Sequence, residues 1–189
     1  EESHVVIKLT RFTSEQDPHS TACVLLMQAG RVDWAHCGDS RIYHFRDDKL
    51  VSCSKDHSLV GELIRQGRLD EEGARTHPQR NLLLHCLGAQ KEPLIDYGGA
   101  SELVDGDSFM ICSDGLWAYF SDEEIGGVLS VYSAREAAES FIKRARERGR
   151  PTGDNVSLII IKLVDVEARQ KADKERLDAA RRKLGKMTA

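Results

Sequence analysis

Three aspartates stand in short turn-forming motifs that each adjoin an apolar run: Gly38-Asp39-Ser40-Arg41, Ser113-Asp114-Gly115 and Gly153-Asp154-Asn155. Asp39 follows the strand-like stretch 31–37, Asp114 follows 108–112, and Asp154 precedes 156–164. A carboxylate at a strand end is held by a rigid scaffold, while its oxygens stay free to face a common sheet edge. Such oxygen donors suit a hard divalent cation, Mg²⁺ or Mn²⁺. Two such ions bridged by a carboxylate lower the pKa of a water and neutralise charge that develops on a phosphoryl group. That chemistry needs no Ser or Cys nucleophile. The chain has no G-x-S-x-G elbow, no P-loop and no G-x-G-x-x-G. Taken singly, each motif has a plain structural reading, because Gly and Asp are favoured turn residues. The set of three in one chain points to a carboxylate cage.

The elements that must position these aspartates follow from the hydrophobic pattern. Residues 22–28 read as a strand, Ala29-Gly30 as a tight turn and 31–38 as the returning strand, with alternation at Val32, Trp34 and His36. Residues 40–46 and 49–54 read as two more strands joined at Asp47-Asp48, so that a run of antiparallel hairpins is expected. Ser58 suits the N-cap of a helix that ends at Gly67, and 69–76 suits a second short helix. Residues 94–100 and 108–112 are strand-like, and 4–9 fits either a strand or a helix. Ser121-Asp122-Glu123-Glu124 and Ser133-Ala134-Arg135-Glu136 are capping-box patterns that open two helices, the second reaching Arg148 and closed by Gly149. The continuous apolar run 156–164 predicts a strand buried on both faces or central in a sandwich. The order of elements predicts an α+β domain with antiparallel sheet over 1–164. A charged terminal helix or linker is expected over 165–189, where Leu177, Ala180, Leu184 and Met187 recur at helical spacing.

Composition narrows the function classes. The 189 residues are 40% hydrophobic and 31% charged, which fits one soluble domain. Residues 165–189 carry eight Lys/Arg against five Asp/Glu, which leaves the body of the chain at −7 where the whole is −4. An acidic body argues against nucleic-acid binding. No apolar run is long enough for membrane insertion, and Glu1-Glu2-Ser3 opens no signal peptide, so a cytoplasmic location is expected. Five cysteines without a C-x-x-C pair read as reduced, mostly buried thiols rather than a zinc site. His36, His44, His57 and His77 show no partner spacing for a catalytic dyad and read as structural or solvated. Arg41 and Arg80 read as surface residues, and Trp117 as a core anchor.

In order, Thr21-Ala22, Gly38-Asp39-Ser40-Arg41, Lys55-Asp56-His57-Ser58-Leu59-Val60, His77-Pro78 with Arg80-Asn81 and Leu87-Gly88, Ser113-Asp114-Gly115-Leu116-Trp117 and Asp154-Asn155-Val156-Ser157 form a pattern. Over about residues 20–164 it resembles the bacterial branch of the type-2C (metal-dependent, PPM) serine/threonine protein phosphatases. The resemblance implies an α-β-β-α sandwich of two antiparallel sheets flanked by helices. It implies hydrolysis of phosphoserine and phosphothreonine in proteins by a metal-activated water, with Mn²⁺ or Mg²⁺ as two core ions and a third beside them. By position, Asp114 and Asp154 match core ligands, Asp114 also reaching the third ion, and Asp39 matches a ligand of that third ion. Asn155 matches a residue that orients Asp154, and Ser113 and Gly115 flank Asp114. Residues 55–92 match a mobile flap, with His57, His77 and Arg80 at the substrate entrance. The implied partners are phosphoprotein substrates of a cognate bacterial Ser/Thr kinase.

Two departures qualify what the resemblance implies. Residues 1–20 match neither the first acidic motif of the family nor its Asp-Gly-x-Gly-Gly-His motif, so the chain is expected to be the larger C-terminal part of such a domain, with the N-terminal part missing. Ala118 stands where many members carry Asp, which weakens the third-ion site. Weak hydrolysis or none is then expected of the chain alone. A bared sheet edge is also expected, favouring an intertwined or self-associated form. Two rivals stay open: a catalytically degenerate phosphatase-like binding or regulatory module, and a different metal phosphohydrolase.

Overall fold

The computed structural model describes residues 1–13, 15–149 and 153–164. The charged segment 165–189 lies outside the described residues. Strand β1 (Ala22–Gln28) pairs antiparallel with β2 (Arg31–Cys37), from Ala22↔Cys37 to Gln28↔Arg31. On its other side β2 pairs antiparallel with β5 (Asp96–Ser101), with His36 opposite Asp96. The second sheet has the order β4-β3-β6-β7, built from β3 (Arg41–Arg46), β4 (Lys49–Cys53), β6 (Asp107–Cys112) and β7 (Leu158–Lys162). All its pairings are antiparallel, and the register shifts between His44 and Phe45 where β3 meets β4.

The predicted run of hairpins is broken in the middle. β1–β2 and β3–β4 are hairpins, but β2 and β3 belong to different sheets. The chain crosses between sheets at Gly38-Asp39-Ser40, which puts Asp39 at a crossover rather than in a hairpin turn. Gly38 has φ +107°, a left-handed conformation, and a Cβ there would overlap the Thr21 side chain, so only glycine fits this corner.

The strand expected over 156–164 also needs correction. It is shorter, Leu158–Lys162, and forms an edge of its sheet, with Ile159 59% exposed. Its apolar continuity arises because Leu158 and Ile160 pack against the helical core, while the intervening isoleucine needs no burial. The ambiguous stretch 4–9 is helical, within α1 (Glu2–Thr10).

Helices α2 (Leu59–Arg65) and α3 (Glu71–Thr76) are opened by Ser58 and Asp70, whose side chains accept the Gly61 and Gly73 N–H groups. The Ser113-Asp114-Gly115 motif is no open turn; it starts a one-turn helix, α4 (Asp114–Trp117). Both predicted capping boxes form, Ser121 with Glu124 at α5 (Asp122–Val131) and Ser133 with Glu136 at α6 (Ala134–Arg148). Ala137, Phe141 and Ala145 recur every four residues on α6 and therefore share one stripe. That stripe, with Ile125, Val128 and Leu129 of α5, joins Tyr43 and Phe45 of β3 and Met110 and Cys112 of β6 in one buried cluster. Residues of β3 and β6 that alternate with these, Ile42, His44 and Phe109, are buried too, so the middle of the four-stranded sheet is covered on both faces. Asp107 is fully buried there, clamped by Arg46 at 2.8 and 3.1 Å, with His44 Nε2 3.2 Å away. The buried carboxylate is thereby paired rather than isolated.

Candidate active site

Register brings the aspartates together. Arg41 lies opposite Cys112 in the antiparallel β3–β6 pair. Asp39 leads into β3 and Asp114 follows β6 beyond that pair, and the Asp114 charge acts on the Asp39 carboxyl. The β6–β7 ladder ends with Cys112 opposite Leu158, which delivers the Asp154 turn to the same edge.

Ser113 stitches two of the turns. Its Oγ accepts the Ser157 N–H at 3.1 Å and donates to the Asn155 carbonyl at 3.3 Å, while its N–H donates to the Ser157 carbonyl at 3.0 Å. Gly115 allows the close approach: a Cβ there would fall onto the Asn155 carbonyl oxygen. The Gly115 N–H donates to Asp114 Oδ1 at 2.9 Å, and the Asn155 N–H donates to Asp154 Oδ1 at 2.7 Å. Asn155 thus meets Asp154 through its backbone. The third turn is joined by Trp117, whose indole N–H donates to the Asp39 carbonyl at 2.9 Å.

Arg41 is no free surface residue. Its guanidinium binds Asp56 in bidentate fashion, with Nε and Nη2 each 2.9 Å from a carboxylate oxygen, and donates to the Tyr43 hydroxyl at 3.1 Å. It also sits 3.8 Å above the Trp117 ring. Asp56, Arg41, Trp117 and the Asp39 carbonyl therefore form one chain of contacts running from the start of the 55–92 segment to the crossover. The pairing of Asp56 with Arg41 was not readable from sequence; both lie in quoted motifs, but nothing in their spacing joins them.

The electrostatics favour a cation. Burial, then Asp114 and Asp56, push the Asp39 carboxyl up to about 6. Burial and the neighbouring Asp154 raise Asp114. Asp39 and Asp114 are half-buried and Asp154 is exposed, the carboxylates repel one another, and Arg41 is already committed to Asp56. A divalent cation would relieve that repulsion, and the donor set is entirely hard oxygen, so the residues present fit Mn²⁺ or Mg²⁺.

The histidines and Arg80 of the 55–92 segment are dispersed. His57 is buried, donates its backbone N–H to the Gly38 carbonyl at 2.9 Å and accepts the Leu84 N–H on its own carbonyl at 2.8 Å, which makes it an anchor of the segment. His77 is half-buried and accepts the Gln79 N–H on Nδ1 at 3.1 Å, and Arg80 is exposed.

No protein-family model matches the chain. Among curated proteins it is similar to the serine/threonine protein phosphatase PstP of Mycobacterium tuberculosis, 36% identical over 149 residues, covering 78% of this chain and 28% of that protein. It is 37% identical over 145 residues to a putative protein phosphatase 2C-type of Streptococcus pyogenes, covering 76% of this chain and 58% of the relative. The chain thus spans less than two thirds of these relatives' length. Among solved structures, the M. tuberculosis phosphatase PstP/Ppp superposes with a TM-score of 0.72 at 32% identity, covering 86% of this chain and 68% of that one. A PstP catalytic domain in complex with two manganese ions gives a TM-score of 0.70 at 30% identity, covering 86% and 67%.

Proposed function

Because the chain belongs to the bacterial type-2C, metal-dependent serine/threonine protein phosphatases, we propose that it supplies most of an active site that hydrolyses phosphoserine and phosphothreonine in proteins. The observation that carries this reading is the convergence of Asp39, Asp114 and Asp154 on one sheet edge, where burial and mutual repulsion already raise two of them. Asp114 and Asp154 would hold core ions and Asp39 an accessory one, with Mn²⁺ the preferred metal. Bound ions supply Lewis acidity that activates water and offsets charge on the phosphoryl oxygens. The chain's own residues do the positioning. Ser113 and Gly115 hold the Asp114 and Asp154 turns against each other, and Trp117 ties the Asp39 crossover to α4. Ala118, the C-cap of α4, brings no further carboxylate, which leaves the accessory site the weaker one. Family membership supports this hydrolase over the binding-module reading.

The substrates proposed are phosphoproteins made by a cognate Ser/Thr kinase, in a cytoplasmic setting. No helix among the described residues is long and apolar enough to cross a membrane. Self-association of this chain is supported by the apolar side chains Val24, Leu26 and Tyr97, which stand exposed on the three-stranded sheet. The test of function is Mn²⁺-dependent release of phosphate from a phosphothreonine peptide by the intact gene product. Asp114→Asn and Asp154→Asn should each lower the rate by about 10²-fold or more. Full activity in both variants would remove the metal assignment.

A further inference from the structure

We propose that His36, His57 and Asp96 form a second metal site, for a borderline transition ion of the Zn²⁺ class, separate from the aspartate edge. One ligand atom from each of the three lies within 4.8 Å of the others. The fold builds this group from distant sequence. His36 and Asp96 are directly opposed in the β2–β5 pair, and His57 comes from the segment after β4 and stacks on His36 with ring centroids 4.7 Å apart. His36 Nε2 lies 2.8 Å from the Lys55 carbonyl, which fixes its proton on Nε2 and leaves Nδ1 as a bare lone pair. That Nδ1 is buried with no hydrogen-bond partner, in a residue only 4% exposed. An orphaned buried acceptor of this kind calls for an explanation.

The other two ligands complete the case. His57 Nε2 is 3.2 Å from Asp96 Oδ2. That approach makes no hydrogen bond, so His57 Nε2, like His36 Nδ1, is buried without a partner, and a cation held by the three residues would meet both. The Asp96 side chain is 42% exposed, giving an ion a route in and leaving room for a water ligand. Two imidazoles and one carboxylate form a three-ligand zinc set and do not suit Mg²⁺, which prefers oxygen alone. Coordination through His57 Nε2 places its proton on Nδ1, which now accepts the buried Gly38 N–H at 3.3 Å, so binding also requires the imidazole to turn away from that N–H, and the Gly38 donor loses its partner. An ion here would pin the start of the 55–92 segment to the β2–β5 pair. This inference does not rest on the phosphatase reading.

Titration of the 189-residue chain with Co²⁺ alone, followed by visible ligand-field absorption, tests it. One equivalent is expected to give a low-symmetry Co²⁺ spectrum that Zn²⁺ displaces, with the His36 and His57 ring resonances shifting in NMR. His36→Gln should abolish the spectrum, and Asp96→Asn should weaken the affinity by about tenfold or more. The double variant Asp39→Asn/Asp154→Asn should keep it. Absence of the spectrum in the unmodified chain overturns the proposal. So does a spectrum that survives His36→Gln and disappears in the aspartate double variant. If His36→Gln fails to fold by circular dichroism, Asp96→Asn decides, and unchanged Co²⁺ affinity there overturns the site.

Discussion

At the scale of single residues, the aspartate edge is held together by neighbouring groups rather than by the carboxylates themselves. Gly115 is the tightest of them, because any side chain at that position meets the Asn155 carbonyl. Gly115→Ala should push the Asp154 turn away from Asp114. Mn²⁺ affinity measured by calorimetry should fall by about tenfold or more, and stability by about 1–3 kcal/mol. Trp117 makes a polar and a stacking contact at once, its N–H to the Asp39 carbonyl and its ring beneath Arg41. Trp117→Phe keeps most of the stack and loses the donor. It should cost about 1 kcal/mol in urea unfolding and weaken the ion proposed at Asp39 more than those proposed at Asp114 and Asp154. Equal weakening of all bound ions would show instead that the indole serves general packing.

At the scale of elements, the helical layer is fastened by one carboxylate with three uses. Glu124 closes the α5 capping box and accepts two hydrogen bonds from Arg148 at the end of α6, at 2.6 and 2.9 Å. The same guanidinium lies 4.5 Å above the Phe120 ring. Arg148, and secondarily the Ser121 N–H, hold the Glu124 carboxyl down at about 2, where a free glutamate sits at 4.5. The folded pKa is below the unfolded one. The stabilisation is therefore complete above about pH 4.5 and lost as the pH falls towards 2. Both side chains are about 40% exposed, so after solvent screening the contribution is about 1 kcal/mol. Glu124→Gln should be less stable than the parent at pH 7 by that amount. The two stability curves should converge near pH 2, and a constant gap across that range would assign the loss to the cap alone.

At the scale of the molecule, two sheets divide the work. The four-stranded sheet with α5 and α6 carries the large buried cluster, and the aspartates hang from one end of it. Metal binding proposed at that edge would thus be linked to folding of the whole domain. At a free Mn²⁺ concentration about 100 times Kd, the melting temperature should rise by about 5–10 °C. Asp114→Asn should lose most of that rise without a large change in its metal-free melting temperature. An equal rise in the variant would show that Mn²⁺ acts elsewhere on the chain.

The sequence by itself marked most of the elements and pointed to a kind of chemistry. Hydrophobic alternation marked the strands, Ser-x-x-Glu spacing marked α5 and α6, and Asp39, Asp114 and Asp154 stood out as oxygen donors at strand ends, because each of these signals is local. Tertiary structure decided what meets what. That β2 and β3 lie in different sheets, that β7 is an edge, that Asp56 clamps Arg41 under which Trp117 lies, and that His36 faces Asp96 and stacks on His57, all depend on register between segments far apart in the chain. Spacing along a strand fixes which face a side chain takes, but only pairing across strands fixes its neighbour. The three aspartates were therefore legible as a kind of chemistry, while their convergence on one edge had to be folded to be seen.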